Sequence, residues 1–138
     1  MGSSRTRLCL MVAIGLALAA CGAGKAPDEV NPNILPAAYK QEILDALQRT
    51  LAYPTNVRDA YISDPVLTPI GTDQRYMACV RYNARDGEHR YAGSKDRIAY
   101  FYGGHLNQLV EPGKEECARA AYKPFPELEK LCLAAKCL

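Results

Sequence analysis

Apolar residues change their spacing along the chain, and each spacing predicts a different element. From Pro36 they recur at helical intervals, and polar or charged residues fill the positions between them. This stripe consists of Ile43, Leu44, Leu47 and Leu51. Pro36 is tolerated in the first turn of a helix, and Pro54 ends the pattern. The spacing predicts an amphipathic helix over residues 36–52.

The middle of the chain has the alternation of β-strands. Over residues 75–83, one face carries Tyr76, Ala78, Val80 and Tyr82, and the other carries Met77, Cys79 and Arg81. A shorter strand is predicted over 57–63, followed by a loop that contains Pro65, Pro69 and Gly71. Two further strands, 96–102 and 105–110, flank Gly103-Gly104, whose glycines can adopt the positive φ angles of a two-residue hairpin turn.

Helical spacing returns near the C-terminus, where Pro126 stands at the first position of a short predicted helix. The apolar positions of this helix are Leu128, Leu131, Cys132 and Ala135. The order helix, strands, helix predicts an α+β fold: an N-terminal amphipathic helix packed on a small antiparallel sheet of three to four strands, with a short C-terminal helix. The first helix is expected to cover one sheet face and to leave the other partly open.

The first twenty residues have a different character from the rest. Arg5 and Arg7 give a cationic start, and residues 8–20 form an uncharged run that is too short to span a bilayer. The run ends in Leu18-Ala19-Ala20-Cys21. This sequence resembles the lipobox of bacterial lipoproteins, in which type II signal peptidase cuts before the cysteine and the thiol carries diacylglycerol. The alternative is an ordinary secretory signal that is cleaved after Ala20, with Cys21 as a normal thiol.

The resemblance implies a domain organisation and a location. It makes 1–20 a signal peptide, 21–35 the lipidated N-terminus with a flexible tether, and 36–138 a single α+β domain. Several acyl chains, palmitate among them, then hold the protein on a membrane. In many Gram-negative lipoproteins, an Asp directly after the lipidated cysteine retains the protein at the inner membrane. This chain has Gly22 at that position. The expected location is therefore the outer membrane, facing the periplasm.

The charge pattern argues against a nucleic-acid partner. The formal net charge of +2 comes entirely from Arg5 and Arg7, so residues 21–138 carry 15 basic and 15 acidic side chains. The lysine-rich or arginine-rich runs that mark nucleic-acid binding are missing from the sequence.

Four cysteines remain after Cys9 leaves with the signal and Cys21 is lipidated. An even number in an oxidising compartment indicates two disulfides, with three possible connectivities. We favour Cys79–Cys117 together with Cys132–Cys137. A redox pair or a zinc site is the alternative, although the chain has no Cys-x-x-Cys and its two histidines stand alone.

The sequence contains no motif for catalysis, a metal or a cofactor. Residues 93–97 match neither a phosphate-binding loop nor a nucleophile elbow. The acids Glu115 and Glu116 are interpreted as a solvated helix start, and His105 as a hairpin residue. We therefore predict no catalytic residues, no metal and no cofactor.

Basic and aromatic residues concentrate between positions 75 and 97, which carry six basic against three acidic side chains. Tyr and Arg are enriched in binding hot spots. The candidates for a binding face are Arg81, Tyr82, Arg85, Arg90, Tyr91 and Arg97. Solvated arginines and core tyrosines are the simpler interpretation of each.

The globular part resembles small envelope lipoproteins in size and plan. We therefore expect a non-catalytic, lipid-anchored protein that binds an envelope protein or an anionic envelope polymer, as an assembly or structural accessory. A periplasmic inhibitor or small-ligand-binding lipoprotein is the alternative, and a cell-wall-acting enzyme is the third.

Overall fold

The structure is a computed structural model that describes Gly24 and residues 30–131. Its elements, in chain order, are α1 (Tyr39–Thr50), β1 (Tyr53–Ile62), β2 (Val66–Ile70), β3 (Asp73–Arg85), β4 (Lys95–Tyr102), β5 (His105–Val110), β6 (Lys123–Pro124) and α2 (Pro126–Glu129). The strands form one six-stranded sheet in the order β5-β4-β3-β1-β6. Strand β2 pairs with β3 beside the end of β1, and every pairing is antiparallel.

The predicted fold class is wrong. The protein is built mainly on a six-stranded sheet rather than as a helix packed on three to four strands, and its described helices contain only 12 and four residues. Strand β2 occupies the segment that was predicted as a loop. It accommodates Pro69 because it is an edge strand, where a missing N–H is tolerated. Strand β6 is two residues long, too short to produce a sequence pattern.

The alternation predicted for β3 is confirmed, because its two faces contribute to separate apolar clusters. Ala78, Val80 and Tyr82 belong to the main core. Cys79 lies on the opposite face in a smaller cluster, together with Ile98 and Cys117. The main core is completed by residues from the helices, from other strands and from the junction of β6 and α2, among them Ile43, Leu44, Leu47, Phe101, Phe125 and Leu128.

The predicted disulfide between Cys79 and Cys117 is present and joins β3 to the segment 114–122. The segment forms turns where Glu115 and Glu116 were interpreted as a helix start. The second predicted pair, Cys132–Cys137, lies outside the described residues. So do the predicted lipobox and the end of the predicted C-terminal helix, which begins at Pro126 as expected.

The hairpin turn between β4 and β5 is confirmed and also supports the N-terminal chain. Gly103 and Gly104 have φ angles of 59° and 83°. The Gly103 N–H donates to the Pro32 carbonyl oxygen at 3.1 Å. A Cβ added to Gly103 would stand 2.8 Å from Val30 Cγ1. Residues 30–35, predicted as the end of the tether, therefore lie against this turn.

We expect Gly103→Ala to lower the free energy of unfolding by about 1–2 kcal/mol, because a side chain disfavours the left-handed conformation. The added methyl group also displaces Val30. Thermal unfolding of the purified protein measures the change. Gly87→Ala is the matched control, because Gly87 has open space around it and no positive φ. Equal destabilisation by both substitutions would contradict this role for Gly103.

Candidate functional site

Strand β1 is irregular along its pairing with β3. Tyr53 pairs with Arg85 and Arg58 pairs with Asn83, so five steps along β1 match two steps along β3. Inside β1, Asn56 has a φ of 57°, a left-handed conformation that is unusual without glycine. Bulges and strained backbone occur often beside functional sites. The bulged half of β1 is therefore the first candidate location for a site.

The loop after β3 faces this bulge and is held by Asp86. The Asp86 carboxylate accepts the N–H groups of Glu88 and Arg90 at 2.9 and 3.0 Å. These backbone hydrogen bonds, with Arg90 contributing most, lower the pKa of Asp86. Within the loop, His89 has a φ of 64°. The loop thus presents His89 and Tyr91 towards β1, where they contact Tyr53 and Asn56.

A cleft of about 450 Å³ opens between the bulge and the loop. We call it the arginine cleft. Its lining residues are Asn56, Val57, Arg58, Arg85, His89, Tyr91 and Glu129. The Glu129 carboxylate accepts the Ala60 N–H at 3.0 Å, which fixes the acid in place. Two arginines and one glutamate give the lining of the cleft a net positive charge.

Each arginine of the cleft stacks on a tyrosine. The Arg58 Cζ lies 4.1 Å from the ring centroid of Tyr91, and the Arg85 Cζ lies 5.6 Å from that of Tyr53. Tyr91 Oη donates to the Asn56 carbonyl oxygen at 2.6 Å. Tyr53 Oη is hydrogen-bonded to His89 Nε2 at 2.7 Å. The hydroxyl groups of both tyrosines are therefore hydrogen-bonded, which fixes the rings that the two guanidinium groups lie over.

The stacked arrangement leaves the arginines able to bind an anion. Stacking uses the flat face of a guanidinium, whereas its N–H donors point outward in the plane and match a carboxylate or phosphate. Among the described residues, no carboxylate lies within 4.0 Å of Arg58 or Arg85. The buried Nε of Arg85 and the buried Oδ1 of Asn83 have no hydrogen-bond partner there either.

No protein-family model, curated protein or solved structure matches this chain. In the part of the chain that the structure describes, no helix is long and apolar enough to cross a bilayer. The same residues contain no group of three or more His, Cys, Asp or Glu side chains that could hold a metal ion.

The binding-face residues predicted from the sequence do not share one surface. Arg85 and Tyr91 line the arginine cleft. Tyr82 is buried in the main core, and Arg97 forms an ion pair with Glu111. Arg90 is exposed and pairs with Asp86 and Glu88 in the loop.

Arg81, the remaining candidate, belongs to a structural cluster on the face of β3 opposite the main core. Its guanidinium binds both carboxylate oxygens of Asp96 at 2.7 and 3.0 Å and stacks on Tyr122. The hydrogen bond from Arg81 lowers the pKa of Asp96 against the opposing effect of burial. Burial and the hydrogen bond to Asp96 raise the pKa of Tyr122 to about 12. Arg81 is therefore occupied within the fold.

A second cleft, of about 460 Å³, lies beside the disulfide and is more apolar. Part of its polar lining is already paired within the protein. Ser63 Oγ accepts the Cys79 N–H, Asp64 pairs with Lys123, and Glu116 accepts hydrogen bonds from Gly113 N–H and Tyr100 Oη. The arginine cleft is the better candidate for an anion because it holds two arginines and one acid, whereas the lining of the second cleft holds one arginine, Arg119, and three acids, Asp64, Glu115 and Glu116.

Acid is expected to destabilise the fold. Hydrogen bonds in the folded state lower the pKa of five described carboxyl groups, those of Asp64, Asp86, Asp96, Glu111 and Glu116. The unfolded chain then binds more protons, so the stabilisation is complete above the ordinary carboxyl pKa values and is lost as the pH falls through the lowered ones.

Urea unfolding at a series of pH values measures this dependence. We expect the free energy of unfolding to fall as the pH is lowered from about 5 to 2. Asp96→Asn should reduce the slope, because position 96 then no longer titrates. A free energy of unfolding that rises on acidification would contradict the lowered pKa values.

Proposed function

We propose that this protein is a non-catalytic, lipid-anchored component of the bacterial envelope that binds an anionic envelope polymer through the arginine cleft. The observation that carries the binding proposal is the pair of tyrosine-stacked guanidinium groups, Arg58 and Arg85, with no carboxylate partner among the described residues. The anchor rests on the lipobox at Leu18–Cys21.

The ligand chemistry follows from the donors. Two guanidinium groups that lie over tyrosine rings offer planar, charge-assisted hydrogen bonds, the geometry that carboxylates and phosphates accept. Peptidoglycan supplies carboxylates, and lipopolysaccharide supplies phosphates. Tyr53 and His89 are hydrogen-bonded to each other and support Arg85, which gives them a positioning role.

Co-sedimentation of the full lipoprotein with purified peptidoglycan sacculi, and separately with lipopolysaccharide, tests the binding proposal and distinguishes the two sources. We expect one of the two to bind and the bound fraction to fall as salt is raised, because exposed charges are screened. Binding to neither polymer would contradict the proposal.

A small anionic ligand is the second candidate, favoured by the cleft volume of about 450 Å³, which lies within the usual range for small-molecule sites. Soluble carboxylate and phosphate compounds should then raise the thermal unfolding temperature of the wild type. They should leave a variant that lacks both cleft arginines unchanged. No shift with either compound class argues against this candidate.

The anchor has its own test. We expect Cys21→Ala to abolish the incorporation of labelled fatty acid and to leave an unprocessed precursor, because the thiol is the atom that is lipidated in the lipobox. Cys9→Ala is the matched control and should be labelled and processed normally. Normal fatty-acid labelling of Cys21→Ala would refute the lipobox assignment.

A further inference from the structure

The N-terminal chain and the arginine cleft lie at opposite ends of the sheet. Strand β3 runs from Asp73 to Arg85, a length of about 40 Å at the usual rise per residue. Arg75 stacks on Tyr102, which places the β4–β5 turn at the Asp73 end. Arg85 lines the arginine cleft at the other end.

The turn end of the domain exposes a group of apolar side chains. Val30, Ile34 and Leu35 are 54%, 46% and 60% exposed, and Tyr102 is 43% exposed. A Cβ added to Gly104 would stand 3.0 Å from Ile34 Cγ2, as one added to Gly103 would stand close to Val30, so both side chains lie beside the β4–β5 turn. We call the surface formed by Val30, Ile34, Leu35 and Tyr102 the turn patch. The patch thus combines aliphatic side chains with Tyr102 and the neighbouring Arg75. This composition is typical of segments that lie in a membrane interface.

The chain length between the lipid site and the turn patch limits where this end can lie. Eight residues lie between Cys21 and Val30, so the two Cα atoms are nine residue steps apart, which span at most about 32 Å when the chain is fully extended. The end of the domain that bears Val30 is therefore the end that the anchor holds nearest to the bilayer.

We infer that the turn patch rests on the lipid bilayer and that the arginine cleft points away from it. This inference relies on the proposed lipidation of Cys21. The bilayer is the occupant of the patch because the anchored chain enters the domain at Val30, inside the patch itself. The opposite end then carries the cleft about 40 Å further out, where a polymer can reach it.

Single tryptophan reporters test this orientation, since the chain contains no tryptophan. The full lipoprotein is purified from membranes and reconstituted into phosphatidylethanolamine–phosphatidylglycerol vesicles, with and without brominated acyl chains. We expect brominated lipid to quench the fluorescence of Leu35→Trp and Tyr102→Trp. The matched control, Ser94→Trp, is exposed near the other end, in the loop before β4, and should not be quenched.

A further substitution tests whether the apolar side chains of the turn patch are needed for its contact with the bilayer. Leu35→Asp, placed in the Tyr102→Trp protein, should reduce the quenching of the reporter at position 102 while the protein still floats with the vesicles. Equal quenching of the reporters at both ends, or no quenching of Leu35→Trp and Tyr102→Trp in protein that floats, would overturn the orientation alone. Protein that lacks the lipid mass and does not float would overturn the anchor, and the orientation with it.

Discussion

Replacing Cys79 and Cys117 together by alanine is expected to lower the free energy of unfolding by about 4 kcal/mol, the chain-entropy estimate for this loop. The two cysteines are 38 residues apart, and both are buried in the smaller apolar cluster. The bond ties the turns of the segment 114–122, which is not a regular helix or strand, to the central strand β3. A domain of this size has a total stability of about 5–15 kcal/mol, so the loss is a large fraction.

Urea unfolding of the double variant measures this loss. The control is Cys132→Ala with Cys137→Ala, which removes the other cysteine pair and leaves the bond between β3 and the segment 114–122 intact. Addition of a reductant to the wild type should reproduce the effect of the Cys79 and Cys117 replacement. A change below about 1 kcal/mol, the range of ordinary surface substitutions, would show that the fold does not depend on this bond.

Arg58→Gln and Arg85→Gln are each expected to weaken binding to the anionic polymer by about tenfold or more, since a hydrogen bond to a charged group contributes about 1.5–3 kcal/mol. Co-sedimentation over a range of polymer concentrations gives the dissociation constants. The matched control is Arg90→Gln, because Arg90 is exposed near the same end of the sheet but already pairs with Asp86 and Glu88.

Arginine-to-lysine substitutions separate geometry from charge. Arg58→Lys and Arg85→Lys keep the positive charge but lose the planar, two-pronged donor, so we expect them to recover only part of the affinity. Full recovery by lysine would indicate simple charge attraction. Equal losses for Arg90→Gln and Arg58→Gln would contradict a role for the cleft.

Most of the features that were predicted correctly are encoded locally. The period of two in β3, the glycine pair of the β4–β5 turn and the position of Pro126 each depend on neighbouring residues. The Cys79–Cys117 bond is not local: the even number of cysteines predicted disulfides but left three connectivities open, and the favoured pairing of Cys79 with Cys117 is the one present. Strand β2 was missed because consecutive residues at each of its ends are exposed, so the sequence shows no alternation of buried and exposed positions. Pro69 also favours the interpretation of this segment as a loop.

The arginine cleft could be predicted only in part, because it depends on register. Arg58 and Tyr91 are distant in sequence, and the bulge in β1 brings them together. The spacing of apolar residues in the sequence does not indicate where a bulge occurs. Arg81 pairs across the ladder with Asp96, whereas Arg97 pairs with Val80, so these two arginines point to opposite faces. Arg58 also lies outside the basic segment 75–97, from which the binding-face candidates came.

The arginine side-chain Nε–H signals of the full-length protein in detergent micelles give the most direct test of anion binding in the cleft. On titration with soluble peptidoglycan fragments or lipopolysaccharide, we expect the nuclear magnetic resonance signals of Arg58 and Arg85 to shift. The signal of Arg81, which is already bound to Asp96, should stay in place and serves as an internal control. Shifts confined to other arginines, or no shift with either ligand, would contradict the proposal that the arginine cleft binds an anionic envelope polymer.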